Sequence, residues 1–350
     1  MKKEIKIGSK IISDDSPCFV IVEIGHNHQG NIETTKKMID EAAFCGAQAV
    51  KLQKRANRSL YTTAMFNKPY ENENSFGLTY GAHREALEFG KAEYLELKKY
   101  AEDKGLIFFA TAFDFESVDF LEEIGVPAYK IASGDITNHP LLDYVGSKKK
   151  PVIISSGACD LEEVKAAYVI LRKHTDQICI MQCTASYPAK PEDIHLNVIK
   201  TLKEEFPEAI IGYSGHDNGI VIPVVAYVLG ARMVEKHFTL NRTMKGTDHK
   251  FSLEPQGLRK MVRDLNRIRE AFGSYEKKCH DFERSAKEKM GKSIMLKNDL
   301  KKGTVISEEL IVYKSPGSGI PPSRIHDVIG KKIKQDLEEE ALLSFEYLEQ

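Results

Sequence analysis

From residue 18 to about residue 273 the chain alternates, eight times over, a short run of β-forming apolar residues with a longer segment of helical grain. The runs are Phe19–Ile24, Ala49–Gln53, Ile107–Thr111, Ala128–Ile131, Val152–Ser155, Ile178–Gln182, Ile210–Tyr213 and Met233–His237. Most are near-continuous apolar text, which suits parallel strands covered on both faces. The segments between them carry stripes at helical spacing. Met38, Ile39, Ala42 and Ala43 form one, with Asn31 as the expected start and Gly46 as the stop; Leu258, Met261, Val262, Leu265, Ile268 and Phe272 form another, closed by Gly273. Eight strands alternating with helices predict an α/β fold closed into a (β/α)8 TIM barrel, although a doubly wound open sheet satisfies the same count.

The barrel is expected over residues 1–275, with a charged linker over 276–290. Residues 291–350 have a different grain: short strand-like pieces, the turn Lys302-Gly303 and the loop Pro316-Gly317-Ser318-Gly319-Ile320-Pro321-Pro322. A domain of that size is marginal on its own and is expected to lean on another surface. One connection in the barrel is unusually long. Between Lys54 and Gly90 the text is polar and aromatic with little period, which predicts an ordered lid over a site.

Composition narrows the partners. The formal net charge is −1, so there is no basic excess for nucleic acid or an anionic membrane, and an anionic substrate must be held by a few placed cations. The six cysteines are scattered without a C-x-x-C pair, and the Ile-Cys-Ile at Cys179 reads as a buried thiol in a reducing compartment. Residues 1–10 lack the apolar core of a signal peptide, and the longest apolar segment, near Val221 to Leu229, is too short to span a bilayer. A cytoplasmic protein is expected.

In a (β/α)8 barrel the chemistry sits where strands end. Here the strand ends are polar: Glu23, then Lys51 and Gln53, Thr111, Lys130 with Ser133-Gly134-Asp135, Ser155-Ser156-Gly157, Gln182 with Thr184 and Tyr187, Ser214 with His216, and Glu235-Lys236-His237. Lys51 and Lys130 lie in apolar strands, where an ammonium is costly unless an anion stands beside it. That anion is either a structural partner, Glu23 or Asp135, or a phosphate or carboxylate ligand among the neighbouring Ser and Gly clusters; a Schiff-base lysine is the third reading. His216 and His237 close adjacent strands, and two imidazoles so placed can share a divalent ion whose other positions go to water or substrate. His26 and His28 are rivals for that ion, with supporting or surface roles the expectation for their loop spacing.

Several of these stretches together resemble the bacterial sialic acid synthases, which make N-acetylneuraminate, legionaminate or pseudaminate. They are Val-Glu-Ile-Gly-His-Asn-His (22–28), Ala-Gln-Ala-Val-Lys-Leu-Gln (47–53), Tyr-Lys-Ile-Ala-Ser-Gly-Asp (129–135), Cys-Thr-Ala-Ser-Tyr-Pro (183–188), Gly-Tyr-Ser-Gly-His (212–216) and Glu-Lys-His-Phe-Thr (235–239). The tail is similar to the antifreeze-like (SAF, β-clip) domain that ends those enzymes. The resemblance implies that phosphoenolpyruvate condenses with an N-acylated mannosamine-type sugar, N-acetylmannosamine being the first choice, to give a nonulosonic acid and phosphate. A diacetamido-dideoxy hexose is the alternative sugar. Matching motifs imply that Lys51, Thr111, Lys130, Ser133, Ser155 and Ser214 hold phosphoenolpyruvate, and that Glu23, Gln53, Tyr187 and Asp248 meet the sugar. They further imply that His216 and His237 bind Mn²⁺, or Mg²⁺ or Co²⁺, as part of the catalytic set with Glu23. A domain-swapped homodimer, the SAF domain of one chain over the barrel mouth of the other, is implied as well. Two positions depart from the family pattern: Ala185 stands where Asn is usual, and Ser315 precedes Pro316-Gly317 where Arg is usual, with Lys314 or Arg324 as replacements. A Schiff-base pyruvate aldolase and a non-catalytic carbohydrate binder are the competing functions.

Overall fold

The computed structural model describes residues 3–349, and its contacts divide the chain into Met1–Gly273 and Ser274–Gln350. The first unit opens with an antiparallel hairpin, β1 (Glu4–Ile7) and β2 (Lys10–Ser13). Its alternation of exposed Glu4 and Lys6 with buried Ile5 and Ile7 is the period of a half-buried strand. The connecting Gly8 lies against Ile107, the first residue of a barrel strand, so the hairpin packs at the end of the barrel away from the strand termini described below.

Eight parallel strands follow: β3 (Phe19–Gly25), β4 (Ala49–Lys54), β5 (Ile107–Ala112), β6 (Tyr129–Ile131), β7 (Val152–Ser155), β8 (Ile178–Cys183), β9 (Ile210–Gly215) and β10 (Met233–His237). They pair in sequence order, and β10 returns to β3 with Met233 opposite Phe19 and His237 opposite Glu23, closing the barrel and excluding the open doubly wound sheet. Outward residues of the strands are packed under helices, which is why nearly every strand position is buried. The helix Ile32–Phe44 starts on Asn31, whose side chain accepts from Thr34 N at 2.9 Å, and buries Met38, Ile39 and Ala42. The helix Pro255–Ala271 buries Leu258, Met261, Val262 and Leu265. Among the described residues no helix is long and apolar enough to cross a membrane.

The long connection after β4 is ordered. It contains the short helices Asn57–Leu60, Thr63–Phe66 and Tyr80–Glu85, held by a cluster of Tyr61, Tyr70, Tyr80 and His83. Gly81 permits this packing, because a Cβ there would fall 2.4 Å from the Phe66 ring. The loop is tied to residues 245–250 by Gly246 N donating to Asn74 Oδ1 at 3.0 Å and by Lys245 over the Phe76 ring at 4.8 Å.

The second unit begins with a helix, Asp281–Met290, inside the stretch that reads as a linker in the sequence. Its strands β11 (Ser293–Leu296) and β12 (Ile311–Lys314) pair antiparallel over a small core that includes Ile294, Leu296, Ile306, Ile320, Val328, Ile333 and Leu343. The loop at Pro316 is anchored by Ser293, which donates to Pro316 O at 2.6 Å and accepts from Gly319 N at 2.8 Å. Lys314 is ion-paired to Glu340, while Arg324 pairs with Asp327 at 2.7 Å and covers the Phe345 ring. Both cations proposed as substitutes for the usual Arg are thus engaged within their own unit, though in exposed pairs of the kind that exchange readily.

Candidate active site

Because strand side chains alternate, residues two apart on a barrel strand face its interior together. Lys51 and Gln53 on β4 do so, as do Glu235 and His237 on β10; Glu23, Thr111, Lys130, Ser155 and Ser214 join them from other strands. The result is a cavity of roughly 580 Å³ at the C-terminal ends of the strands, completed by Ser133, Tyr187, His216 and Asp248 from the loops. Every residue assigned in the sequence to catalysis, to phosphoenolpyruvate, to the sugar or, as the first choice, to the metal lines this one cavity, whereas the rival histidines His26 and His28 do not. A larger cavity, roughly 770 Å³, runs beside the helices Leu161–Arg172 and Val198–Glu205, but neither Lys nor Arg lines it. The chemistry belongs to the smaller cavity.

The two strand lysines are buried, Lys51 to 2% exposure and Lys130 to 3%. Lys51 Nζ lies 2.5 Å from Glu23 Oε2 as an ion pair, donates to Thr111 Oγ1 at 2.7 Å, and stands 3.7 Å from Glu235 Oε1. Lys130 Nζ donates to Ser155 Oγ at 2.5 Å and Ile131 O at 3.0 Å and has no carboxylate in ion-pairing range among the described residues. Burial pulls its pKa below the usual lysine value, with Glu235 opposing the fall. Asp135, a possible partner from the sequence, instead accepts a weak bond from Asn138. Glu235 does part of that work. Burial alone would raise its carboxyl, yet Lys51 and Lys130 hold it below the usual range.

Glu23 is poised differently. Burial pushes its carboxyl up to about 7 against the opposing field of Lys51, with Glu235 adding to the rise. Gln53 Nε2 donates to Glu23 Oε1 at 2.6 Å. The turn that makes this possible is at Gly25, where φ is +54° and the β3–β4 register shifts; a Cβ there would meet Glu23 Oε1 at 3.0 Å.

On the other wall the rings of His216 and His237 have centroids 5.3 Å apart. His216 Nδ1 donates to Thr184 O at 2.9 Å, which fixes its tautomer and leaves Nε2 as the free ring nitrogen. His237 Nδ1 is buried without a hydrogen-bond partner, with Asp248 Oδ2 3.8 Å away. Burial, with the neighbouring His237 adding to it, lowers His216 to about 4; burial lowers His237 likewise to about 4, Asp248 opposing the fall and Lys51 reinforcing it. Both imidazoles are therefore neutral near pH 7, the form that ligates a metal. Among the described residues no group of three or more His, Cys, Asp or Glu converges as a metal site. The donor set fits an ion held by two imidazoles, with its remaining positions left to water or substrate. Tyr187 stacks at the rim, its ring 4.1 Å from that of His216.

His26 and His28 do not join this pair, and neither is on the surface. His28 stacks on Phe89 and is 1% exposed. His26 sits between Arg55 and Arg84, each 3.0 Å from one of its ring nitrogens. Arg55, Arg84 and Glu235 line the cavity without having been assigned to the site from sequence. For two of them a signal existed: Arg55 extends the spacing Lys51, Gln53 by two more residues, and Glu235 is two residues before His237. Arg84 has no local signal, since only the fold of the long connection brings it here.

Comparison with known proteins agrees in direction. A family model described as the NeuB family matches residues 38–277, and one described as the SAF domain matches residues 291–349. The chain is 40% identical over 330 residues to the human protein named N-acetylneuraminate-9-phosphate synthase, covering 94% of this chain and 92% of that one. It is 35% identical over 348 residues to the N,N'-diacetyllegionaminic acid synthase of Legionella pneumophila, covering 98% of each. The crystal structure of an N-acetylneuraminic acid synthetase from Leptospira borgpetersenii superposes with a TM-score of 0.71 at 36% identity, covering 82% of this chain and 95% of that one.

Proposed function

Since the chain belongs to the NeuB family of sialic, legionaminic and pseudaminic acid synthases and ends in an SAF domain, we propose that it condenses phosphoenolpyruvate and water with an N-acylated mannosamine-type sugar, in the cytoplasm. The observation that carries this reading is one cavity with two buried lysines against hydroxyls on one wall and two neutral imidazoles on the other.

In this reaction C3 of phosphoenolpyruvate forms the new carbon–carbon bond to the aldehyde carbon of the open-chain sugar, whose oxygen takes a proton and becomes a hydroxyl. Water adds at C2; one of its protons goes to that aldehyde oxygen, and the other leaves with phosphate, which departs as hydrogen phosphate with the electrons of its C2–O bond, so that C2 ends as a ketone. Lys51 and Lys130, with Thr111, Ser133, Ser155 and Ser214, match the phosphate and carboxylate of phosphoenolpyruvate and hold it in one orientation. His216 and His237 would hold a divalent ion, Mn²⁺ by first choice with Mg²⁺ or Co²⁺ as alternatives. Such an ion supplies Lewis acidity toward the aldehyde oxygen. Glu23, with a carboxyl that exchanges a proton near pH 7, serves the water at C2. Gln53, Tyr187 and Asp248 meet the sugar hydroxyls and acyl group, and the buried walls limit competing attack by bulk water.

N-acetylmannosamine chemistry is the first choice for the acceptor and a diacetamido-dideoxy hexose the second, since both kinds of synthase are among the relatives. The working unit is proposed to be a homodimer in which the SAF domain of each chain covers the barrel mouth of its partner. A phosphate-release assay with phosphoenolpyruvate, Mn²⁺ and each hexosamine tests the reading. Release that depends on both substrates is the expected result; no release with any hexosamine overturns it.

A further inference from the structure

Three successive inward positions on β4 and its extension carry a cation, an amide and a cation: Lys51, Gln53 and Arg55. Glu23, on the neighbouring strand, engages the first two at once. Lys51 Nζ stands 2.5 Å from its Oε2, and Gln53 Nε2 donates to its Oε1 at 2.6 Å. Arg55 is 8% exposed and has no carboxylate in ion-pairing range among the described residues; its Nη2 donates instead to Gln53 Oε1 at 2.7 Å. The guanidinium is fixed from two further sides, 3.7 Å from the centre of the Phe113 ring and with Nη1 3.0 Å from His26 Nε2. Beyond His26 comes Arg84, 3.0 Å from its Nδ1 and equally without a paired carboxylate among the described residues. No anion draws Arg55 away from the amide.

A side-chain amide has two ends of nearly the same shape and opposite hydrogen-bonding kind. Here a carboxylate on one side and a guanidinium on the other settle which end goes where. Turned over, Gln53 would set its carbonyl oxygen against Glu23 and its NH2 against Arg55. That is acceptor on acceptor and donor on donor, in a site with little water to relieve either. Without Arg55, Gln53 Oε1 loses its charged donor, and Glu23 alone is left to orient the amide. Gln53 Nε2 makes no other hydrogen bond among the described residues, so its second N–H is what this wall offers a ligand in the cavity.

Resting on the synthase reading above, we propose that Arg55 is a positioning residue that acts through Gln53, holding the amide with its nitrogen toward Glu23 and toward the sugar. The sugar therefore meets a hydrogen-bond donor at this point of the wall, and Glu23 keeps one fixed orientation between Lys51 and Gln53.

The test is a double-mutant cycle on the full-length protein: Arg55→Leu, Gln53→Ala and the two combined. Phosphate release is measured with phosphoenolpyruvate, Mn²⁺ and the hexosamine that the wild type turns over fastest. Arg55→Leu should lower kcat/KM for the sugar by at least about tenfold, the scale of one charge-assisted hydrogen bond, and leave KM for phosphoenolpyruvate within about twofold. In the Gln53→Ala background the same change should cost less than about twofold, because a residue acting through Gln53 then has nothing to act on. Arg55→Lys, which keeps a cationic donor, should recover part of the loss. Losses that add in the double variant, or that fall equally on phosphoenolpyruvate, overturn the proposal. Arg55→Met takes the place of Arg55→Leu throughout if the latter does not fold. Should the wild type release no phosphate with any hexosamine, the synthase reading fails, and a crystal structure of Arg55→Leu decides the positioning role alone. A Gln53 side chain moved off Glu23 upholds it; one left in place refutes it.

Discussion

Lys236 donates to Asp217 Oδ1 at 2.9 Å and to Asp217 O at 2.5 Å, and these two residues are the chain neighbours of His237 and His216. Both are 2% exposed, and Tyr213 donates to the same Oδ1 at 2.7 Å. Strand alternation turns Lys236 away from the barrel interior that Glu235 and His237 face, so the pair fastens the ends of β9 and β10 from behind. It is a positioning device for the two imidazoles.

Lys236→Met tests it. Removing one partner of a buried ion pair strands the other, so a loss of about 3–5 kcal/mol in unfolding free energy is expected by denaturant titration. A drop in Mn²⁺ affinity of about 10–100-fold should accompany it, as when a group supporting metal ligands is lost. Unchanged metal affinity in a folded variant would make the pair purely structural.

His237→Ala should leave the fold intact, because its ring makes no hydrogen bond that the barrel depends on. Turnover should fall by about three orders of magnitude or more, the scale of removing a charge-stabilising group. Excess chelator should abolish activity of the wild type and added Mn²⁺ restore it. Full activity in chelator would remove the metal from the reaction.

Lys51→Met takes the counter-charge from Glu23 and Glu235 together. We expect phosphoenolpyruvate binding weaker by at least about tenfold and a stability loss of about 3 kcal/mol. The same lysines decide the aldolase alternative. Borohydride with pyruvate should leave no adduct on Lys51 or Lys130, and an adduct found by mass spectrometry would replace the synthase mechanism with a Schiff base.

The pH profile should report Glu23. Its carboxyl in the folded protein is raised to about 7 by burial, against Lys51, so the fraction able to accept a proton grows as pH rises through that value. The profile of kcat/KM should show an acid limb near pH 7, and Glu23→Gln should remove it along with most of the activity. A limb that persists in the variant belongs to the substrate phosphate instead.

The eight barrel strands were readable to within a residue or two because each is a run of apolar residues bounded by turn text, and parallel strands buried on both faces need that run. The β1–β2 hairpin escaped notice although Ile5 and Ile7 alternate with Glu4 and Lys6 in plain sight. The helix Asp281–Met290 was hidden by charge: its narrow apolar stripe, Phe282, Ala286 and Met290, stands among charged residues, and none of it is buried. Arg55 could have been found by continuing the period of two from Lys51. Arg84 could not, since nothing near it in the chain announces the imidazole it faces.

Local pattern, then, determined the elements, their order and the residues that end each strand, because helix and strand periods are properties of near neighbours. Tertiary structure decided the rest. Which carboxylate stands beside Lys51, why Glu23 holds its proton to about pH 7 while Glu235 does not, and where two guanidiniums are left without a counter-ion all depend on barrel closure. Burial and Coulomb forces act between groups that the chain keeps apart and only the fold brings together.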